Sequence, residues 1–97
     1  MIEVQQTEIF AKWLAKLRDR EAKSRILVRI RRITLGAMGD IKAVGQGVSE
    51  LRVDYGPGYR IYVAIQNEKM IILLCGGDKS RQQADIQTAW KLAKELK

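Results

Sequence analysis

The stretch from Gly47 to Leu74 constrains the fold of this chain more than any other part. Residues 50–54 alternate polar and apolar side chains, and residues 59–65 alternate again with many β-branched and aromatic side chains, which is typical of two strands. Between them lies Gly56-Pro57-Gly58, where glycine tolerates positive φ and proline cannot donate to a β-ladder. We therefore predict a β-hairpin, followed over residues 70–75 by an apolar strand that is covered on both sides.

A turn centred on Pro57 would set the pairing of the two hairpin strands. It places Tyr55 opposite Tyr59, Asp54 opposite Arg60, and Arg52 opposite Tyr62. One face then carries six apolar or aromatic side chains: Leu51, Val53, Tyr55, Tyr59, Ile61 and Val63. The other face carries Arg52, Asp54, Arg60 and Tyr62. Because a slip of one residue would exchange the faces, burial strongly specifies them. The prediction is a three-stranded meander with two arginines and a tyrosine on its open face.

Composition limits the class of protein. The chain has 97 residues, enough for one domain spanning 1–97, and its net charge of +7 favours a polyanion or an acidic protein as partner. The charge alone is equally consistent with a basic protein whose charge only aids solubility. The sequence contains no long apolar run and no signal-peptide pattern, so we expect no membrane span and a cytoplasmic location.

Cysteine and histidine usage excludes several chemistries. The single cysteine, Cys75, excludes an internal disulfide and fits a reducing compartment. Its place at the end of an apolar strand predicts a buried side chain rather than a nucleophile. A chain without histidine has no Cys-His or Ser-His-Asp site, and a zinc site is disfavoured. We expect neither a metal nor a cofactor.

Helical patterns precede the hairpin. Residues 1–6 are compatible with a short edge strand, and Thr7 is a good N-cap for a helix whose apolar residues recur at helical spacing: Phe10, Trp13, Leu14 and Leu17. After a break near residues 19–22, a second helix is predicted over residues 21–35, ending at Gly36. Its predicted buried residues are Ile26, Leu27, Ile30 and Ile33. We expect both helices to pack on the apolar face of the sheet.

Basic residues cluster on the second helix. Arg25, Arg29 and Arg32 form one stripe, which suggests a surface that tracks phosphates. A solvated helix face, or a docking site for an acidic partner, explains the same stripe equally well. The following segment, residues 37–47, contains Lys42 and three glycines but no phosphate-binding spacing, so we predict a loop or a weak strand.

A third helix is predicted after the apolar strand. Ser80 with Gln83 forms a capping-box pattern, and the predicted buried residues are Ile86, Ala89, Trp90, Ala93 and Leu96. Lys79 and Arg81 would then lie near Arg60 at a helix N-terminus, where free N–H groups favour anions. The alternative is a simple turn with both side chains solvated.

Three segments resemble a known family. Gly47-Val-Ser-Glu-Leu-Arg52, Gly56-Pro-Gly-Tyr-Arg60-Ile-Tyr62 and Leu74-Cys-Gly-Gly-Asp-Lys79-Ser80, followed by Gln83 and Asp85-Ile86, resemble the phage-related, HigB-like "addiction module killer protein" branch of the RelE/ParE toxins. These are toxins of bacterial type II toxin–antitoxin systems. The resemblance implies an α+β fold in which two N-terminal helices pack on a small twisted, mainly antiparallel sheet that a C-terminal helix closes.

The resemblance also implies an activity. RelE-type members are endoribonucleases that cut mRNA in the ribosomal A site without a metal. The family's reactive arginines match Arg60 and Arg52, and its later basic cluster falls on Lys79 and Arg81. Fixed guanidinium groups suit the charge that develops on phosphate, so Arg60 is predicted to stabilise it while Arg52 and Lys79 orient the RNA. The predicted RNA-binding residues are Tyr62, Arg81, Lys42 and Tyr59.

The sequence departs from many nucleases of this family, because it has no histidine and no tyrosine after Lys79. In those nucleases the histidine or tyrosine is the general base or acid. In this chain a lysine, Asp54 or positioning by the ribosome would have to supply that role. ParE-like inhibition of DNA gyrase without nuclease activity, and a non-toxic basic module that binds only its antitoxin, are alternatives on the same fold. In every case we expect a cognate HigA-like helix-turn-helix antitoxin as partner, operator DNA contacted only through that complex, and no membrane.

Overall fold

A computed structural model describes residues 1–96, which form one five-stranded sheet with helices on both faces. The elements in chain order are β1 (Glu3–Gln6), α1 (Glu8–Lys16), α2 (Arg20–Thr34), β2 (Ile41–Gly45), β3 (Val48–Val53), β4 (Tyr59–Asn67), β5 (Met70–Asp78) and α3 (Gln82–Glu95). The strand order is β1-β5-β4-β3-β2; β1 runs parallel to β5, and the other pairs are antiparallel. The predicted α+β class, with two N-terminal helices and a closing C-terminal helix, is confirmed.

The first two helices cover one face of the sheet. Thr7 caps α1 as predicted, because its hydroxyl accepts a hydrogen bond from the Phe10 N–H at 3.0 Å and donates to the Leu74 carbonyl at 2.6 Å. The core on this face is built from buried residues of α1, α2 and the sheet: Phe10, Ile26, Ile33, Leu51, Val53, Ile61, Val63, Ile71 and Leu73. The predicted burial of Leu27 is wrong, since Ile26, Ile30 and Ile33 define the packed stripe and Leu27 lies on its outer flank.

The hairpin exists, but its predicted register is wrong by two residues. Arg52 pairs with Arg60, and Glu50 pairs with Tyr62, while Asp54 lies outside the ladder and is exposed. The loop is centred on Gly56 rather than Pro57, with Gly56 and Gly58 both at positive φ (56° and 81°). Because a shift of two residues preserves the side-chain alternation, the predicted division of the hairpin into two faces still holds.

The second face of the sheet is not open as predicted, because α3 packs on it. Ile86 and Ala89 of α3 are buried against strand residues Val48, Tyr62, Ala64, Ile72, Leu74 and Cys75. A bulge at Leu74 lets Leu74 and Cys75 both join this core. At the far end, the Trp90 indole N–H donates to the carbonyls of Val44 and Gly45 at 3.2 and 3.1 Å, which fixes α3 across the sheet to β2.

The start of α3 also differs from the prediction. The Asp78 side chain, not a Ser80–Gln83 capping box, accepts from the Ser80 N–H at 2.9 Å and opens a 3₁₀ turn (Lys79–Arg81) that leads into α3. Asp78 is the capping residue because it ends β5 in extended backbone, one residue before the turn begins. Leu96 follows the last residue of α3 and is exposed, so its predicted burial is wrong. The weak strand expected within residues 37–47 is β2.

Candidate functional site

Strand pairing collects polar residues in two neighbouring rows on the α3 side of the sheet. One row runs across three strands through Lys42, Glu50 and Tyr62, and the next through Arg52, Arg60 and Gly77. Residues that pair across strands point to the same face, so both arginines stand beside the side chain of Glu50. The N-terminus of α3 lies over these rows and adds Gln82 to the group.

Glu50 is the centre of this group and is 0 % exposed. Its Oε2 accepts from the Tyr62 hydroxyl at 3.1 Å and from the Gln82 Nε2 at 2.9 Å. Its Oε1 accepts from the Arg52 Nε at 3.2 Å and lies 3.8 Å from a terminal nitrogen of Arg60. A buried carboxylate is tolerated when it is paired and hydrogen-bonded, and here both oxygens are. We call Glu50, Arg52, Arg60, Tyr62 and Gln82 the Glu50 cluster.

Burial fixes the protonation of the Tyr62 hydroxyl. The pKa of Tyr62 is raised, first because the phenol is buried and then because the charge of Glu50 and the hydrogen bond to it oppose ionisation. The phenol therefore stays protonated and keeps donating to Glu50. Tyr62 thereby holds the carboxylate in place between the two arginines.

A second carboxylate, Asp85, lies against the same end of the sheet. Its Oδ2 is buried without a hydrogen-bond partner in the described structure, and so is the Arg60 Nε. A Cβ at Gly77, the cross-strand partner of Arg60, would lie 1.9 Å from that Oδ2, so only glycine fits there. Burial raises the pKa of Asp85, Asp78 raises it further, and Arg81 opposes both effects. The site thus contains one paired and one unpaired carboxylate.

The predicted site residues differ in where the structure places them and in how exposed they are. Arg52 and Arg60 are brought together as predicted, with side chains 36 % and 11 % exposed. Lys42, Lys79 and Arg81 are exposed around them. Tyr62 is 0 % exposed, so it presents no ring surface for stacking, and the prediction of an open face is wrong for this residue because α3 covers it.

Tyr59 does not join the Glu50 cluster. It lies half-buried on the α1 side of the sheet, where its ring meets the Trp13 ring edge-on at 6.2 Å between centroids. Val53 is its pairing partner on β3, and both belong to the face covered by α1 and α2. The structure therefore separates Tyr59 from the other predicted RNA-binding residues.

Three residues of this region were not predicted from the sequence to belong to the site: Glu50, Gln82 and Asp85. The signal for Glu50 is its place two residues before Arg52 on a strand, which puts the two side chains on one face. Gln82 and Asp85 carry no comparable signal, because their contacts depend on how α3 crosses the sheet.

Cys75 is buried, as predicted, and its thiol donates to the Asp85 carbonyl at 3.6 Å. Burial raises the pKa of Cys75 to about 12, so the thiol stays protonated and is a poor nucleophile. Within residues 1–96, the side chains of histidine, cysteine, aspartate and glutamate form no group of three or more that could hold a metal ion. In the same residues, no helix is both long enough and apolar enough to cross a membrane.

The fold and the Glu50 cluster define a small, basic α+β protein with two arginines paired on adjacent strands of its sheet. The sequence profile of the family described as phage derived protein Gp49-like (DUF891) matches residues 12–97, and the chain belongs to this family. An uncharacterised protein of Haemophilus influenzae is 50 % identical over 95 residues, which cover 98 % of this chain and 96 % of that protein.

Proposed function

We propose that this protein is the toxin of a type II toxin–antitoxin module and cleaves mRNA on the ribosome. The observation that supports the proposal is the pair of arginines, Arg52 and Arg60, which are paired on adjacent strands. Both contact the carboxylate of the buried Glu50. Membership of a phage-derived family and the resemblance to RelE/ParE toxins support the same conclusion. The exposed Lys42, Lys79 and Arg81 extend the basic surface around the pair.

The chemistry is an internal transesterification of RNA. The 2′-oxygen forms a bond to the adjacent phosphorus, the bond to the 5′-oxygen of the next nucleotide breaks, the 2′-hydroxyl loses a proton and the 5′-oxygen gains one. Negative charge builds up on the phosphate oxygens in the transition state, and guanidinium groups that stay protonated and fixed stabilise it. We assign this role to Arg60, with Arg52 and Lys79 orienting the RNA backbone.

The basic residues differ in how accessible they are to RNA, so we assign them different roles. Only an edge of Arg60 reaches the surface, whereas Arg52 is about one-third exposed and Lys79 is exposed. RNA therefore meets Arg52, Lys79 and Arg81 first and contacts Arg60 at its exposed edge. Tyr62 is a positioning residue in this scheme, because its hydroxyl contacts Glu50 and not the ligand.

The test is primer extension on a defined mRNA in a reconstituted translation system with the purified protein added. We expect cuts within the A-site codon, and only on translating ribosomes. Arg60→Lys keeps a cation beside Glu50 but loses the planar guanidinium, so cleavage should fall about 100-fold. Lys91→Ala, at an exposed lysine of α3, is the matched control and should cleave normally.

Intact mRNA with unaffected protein synthesis would overturn the nuclease proposal. Accumulation of cleaved DNA–gyrase complexes in cells that express the protein would then identify gyrase as the target. The proposal also includes a partner: a cognate antitoxin of the HigA-like helix-turn-helix kind, through which the complex contacts operator DNA.

A further inference from the structure

The outward surface of α2 carries exposed apolar side chains inside a basic rim. Leu27 and Val28 are 48 % and 46 % exposed, which is unusual for large aliphatic side chains side by side on a helix. They lie in a shallow groove with four polar or basic neighbours, Arg20, Lys23, Ser24 and Arg31. We call these six residues the α2 outer surface.

The apolar part of this surface extends beyond α2. Leu27 also lines a second groove, which is formed with residues of β1 and α1 that include Val4 and Leu14. Ile30 and Thr34 continue it along the helix. The apolar lining of the two grooves, which includes the half-buried Val4, Leu14 and Ile30, therefore continues from the outward side of α2 toward β1 and α1.

The charge of α2 is strongly unbalanced. Among its 15 residues, six are basic and one, Glu21, is acidic. Glu21 is already paired with Arg25 at 2.9 Å, and Arg29 points inward to backbone carbonyls. Arg20, Lys23 and Arg31 line the groove beside Leu27 and Val28 with no carboxylate of α2 to balance them; Arg20 and Arg31 are exposed and Lys23 is half-buried.

Exposed apolar side chains beside unbalanced basic residues suit a protein partner better than a nucleic acid. A phosphate backbone would use the basic rim but leave Leu27 and Val28 without a partner, and RNA-binding surfaces stack bases on aromatic rings, which the α2 outer surface does not contain. An amphipathic helix with an apolar stripe and acidic flanks matches both parts of the surface.

We propose that the α2 outer surface docks an acidic amphipathic helix of a partner protein. The identification of this partner with the antitoxin rests on the proposed function; the docking itself does not. Because α2 packs on the sheet face opposite α3 and the Glu50 cluster, a helix bound here leaves Arg52 and Arg60 uncovered.

The binding test uses a synthetic peptide of about 20 residues with leucines at helical spacing and glutamates elsewhere. A matched peptide with lysine in place of every glutamate is the control ligand. Titration of the isotope-labelled protein by NMR should shift the amides of Ser24, Leu27 and Arg31 with the acidic peptide and not with the basic one. Leu27→Glu and Arg31→Glu should each weaken the affinity at least about tenfold.

Ile65→Glu is the control variant, since Ile65 is 45 % exposed on β4 and lies outside the α2 outer surface. Leu27 is exposed, so Leu27→Glu should fold, and its thermal melt verifies this. Equal binding of the acidic peptide by the wild type and by folded Leu27→Glu, or no binding at all, would overturn the proposal.

A competition experiment separates the two classes of ligand. If an oligouridylate of about ten nucleotides shifts the α2 amides and displaces the peptide, the surface binds nucleic acid and the proposal is overturned. Cleavage of mRNA by Leu27→Glu should stay at the wild-type level. Failure of docking and failure of the nuclease proposal are therefore distinguishable, because each has its own assay.

Discussion

At the scale of single residues, the feature that matters most is the buried charge of Glu50. Truncating one partner of a buried ionic network leaves the others desolvated and uncompensated. We therefore expect Glu50→Ala to lower the free energy of unfolding by about 3 kcal/mol. Glu8→Ala is the control, because Glu8 pairs with Lys12 at 3.2 Å on the exposed face of α1 and should contribute at most about 0.5 kcal/mol.

Urea unfolding of the two variants and the wild type measures this difference. Similar losses for Glu50→Ala and Glu8→Ala would contradict the assignment of Glu50 as the centre of a buried network. The slope of the unfolding free energy with urea should be the same in all three proteins, which shows that the unfolded states are comparable.

For Asp85 we predict the opposite effect: neutralising this carboxyl should raise the free energy of unfolding. Its pKa is higher in the folded chain than its usual value of 3.8, so ionisation opposes folding. That penalty is absent below pH 3.8, where both states are protonated, and is complete above the folded pKa. Asp85→Asn stays neutral at every pH and should therefore stabilise the protein at neutral pH, by at most about 1 kcal/mol because solvent screens this partly exposed carboxyl.

Thermal melts at several pH values test the Asp85 prediction. The advantage of Asp85→Asn should shrink as the pH falls and vanish near pH 3.8. Asp54→Asn, on an exposed side chain, controls for the loss of one negative charge from the molecule. An Asp85→Asn variant that is less stable than the wild type at neutral pH would show that the carboxylate has a stabilising partner.

The sequence predicted the arginines of the site but not the carboxylates. Arg52 and Arg60 stand out because alternation along two strands places them on one face. Glu50 and Asp85 do not stand out in the sequence, because what distinguishes them is the burial of carboxylate oxygens. These oxygens are buried because α3 packs on this face of the sheet. The same helix explains why Tyr62 was expected at the surface and is found in the core.

At the scale of secondary-structure elements, Arg29 joins α2 to the loop before β2 and to β3. Its guanidinium donates to the Met38 carbonyl at 3.0 Å, to the Asp40 carbonyl at 2.7 Å and to the Arg52 carbonyl. Partial burial lowers the pKa of Arg29, yet an arginine remains charged at neutral pH. Three backbone acceptors therefore depend on one side chain.

Arg29→Met should cost about 2 kcal/mol of unfolding free energy, since these carbonyls lose a charged donor. Arg32→Met, one turn along the same helix on an exposed side chain, should cost less than about 0.5 kcal/mol. Chemical denaturation of both variants gives the comparison. Equal effects would mean that Arg29 contributes as a surface charge and not as a connector.

The packing of α1 on β5 depends on the absence of a side chain at Gly76. A Cβ there would lie 2.4 Å from ring atoms of Trp13, closer than real contacts allow. Gly76→Ala should therefore destabilise the protein by about 1–3 kcal/mol through overpacking. The same substitution made in a Trp13→Leu background should cost clearly less, and a double-mutant cycle from thermal or urea unfolding measures the coupling.

Helices and strands were predictable from the sequence where the signal for them lies within a few neighbouring residues. Thr7 caps its helix, and the alternation of the hairpin strands gives the correct faces, because both effects act over a few residues. The hairpin register was not predictable in the same way, since it depends on which loop residues adopt positive φ, and the chain offers both Gly56 and Gly58. A shift of two residues leaves burial almost unchanged, so the hydrophobic pattern does not select between the two registers.

At the scale of the whole molecule, the net charge of +7 should govern association with acidic partners. Salt screens attractions between exposed charges, so a complex with an acidic antitoxin should dissociate faster as the salt concentration rises. Surface plasmon resonance at low and high salt measures the dissociation rate. A salt-independent rate would indicate an interface held by apolar contacts, and Arg31→Glu should reduce the salt dependence if the partner docks on α2.

The parallel pairing of β1 with β5 has a consequence for synthesis on the ribosome. β1 is translated before the other elements of this fold, yet its neighbour in the sheet is the last strand, β5, and the Thr7 hydroxyl bonds to a carbonyl 67 residues further on. β1 must therefore remain without its parallel neighbour until β5 has left the exit tunnel. The native sheet cannot be completed before β5 has emerged, so the producing cell is exposed to the folded form only after that strand has been translated.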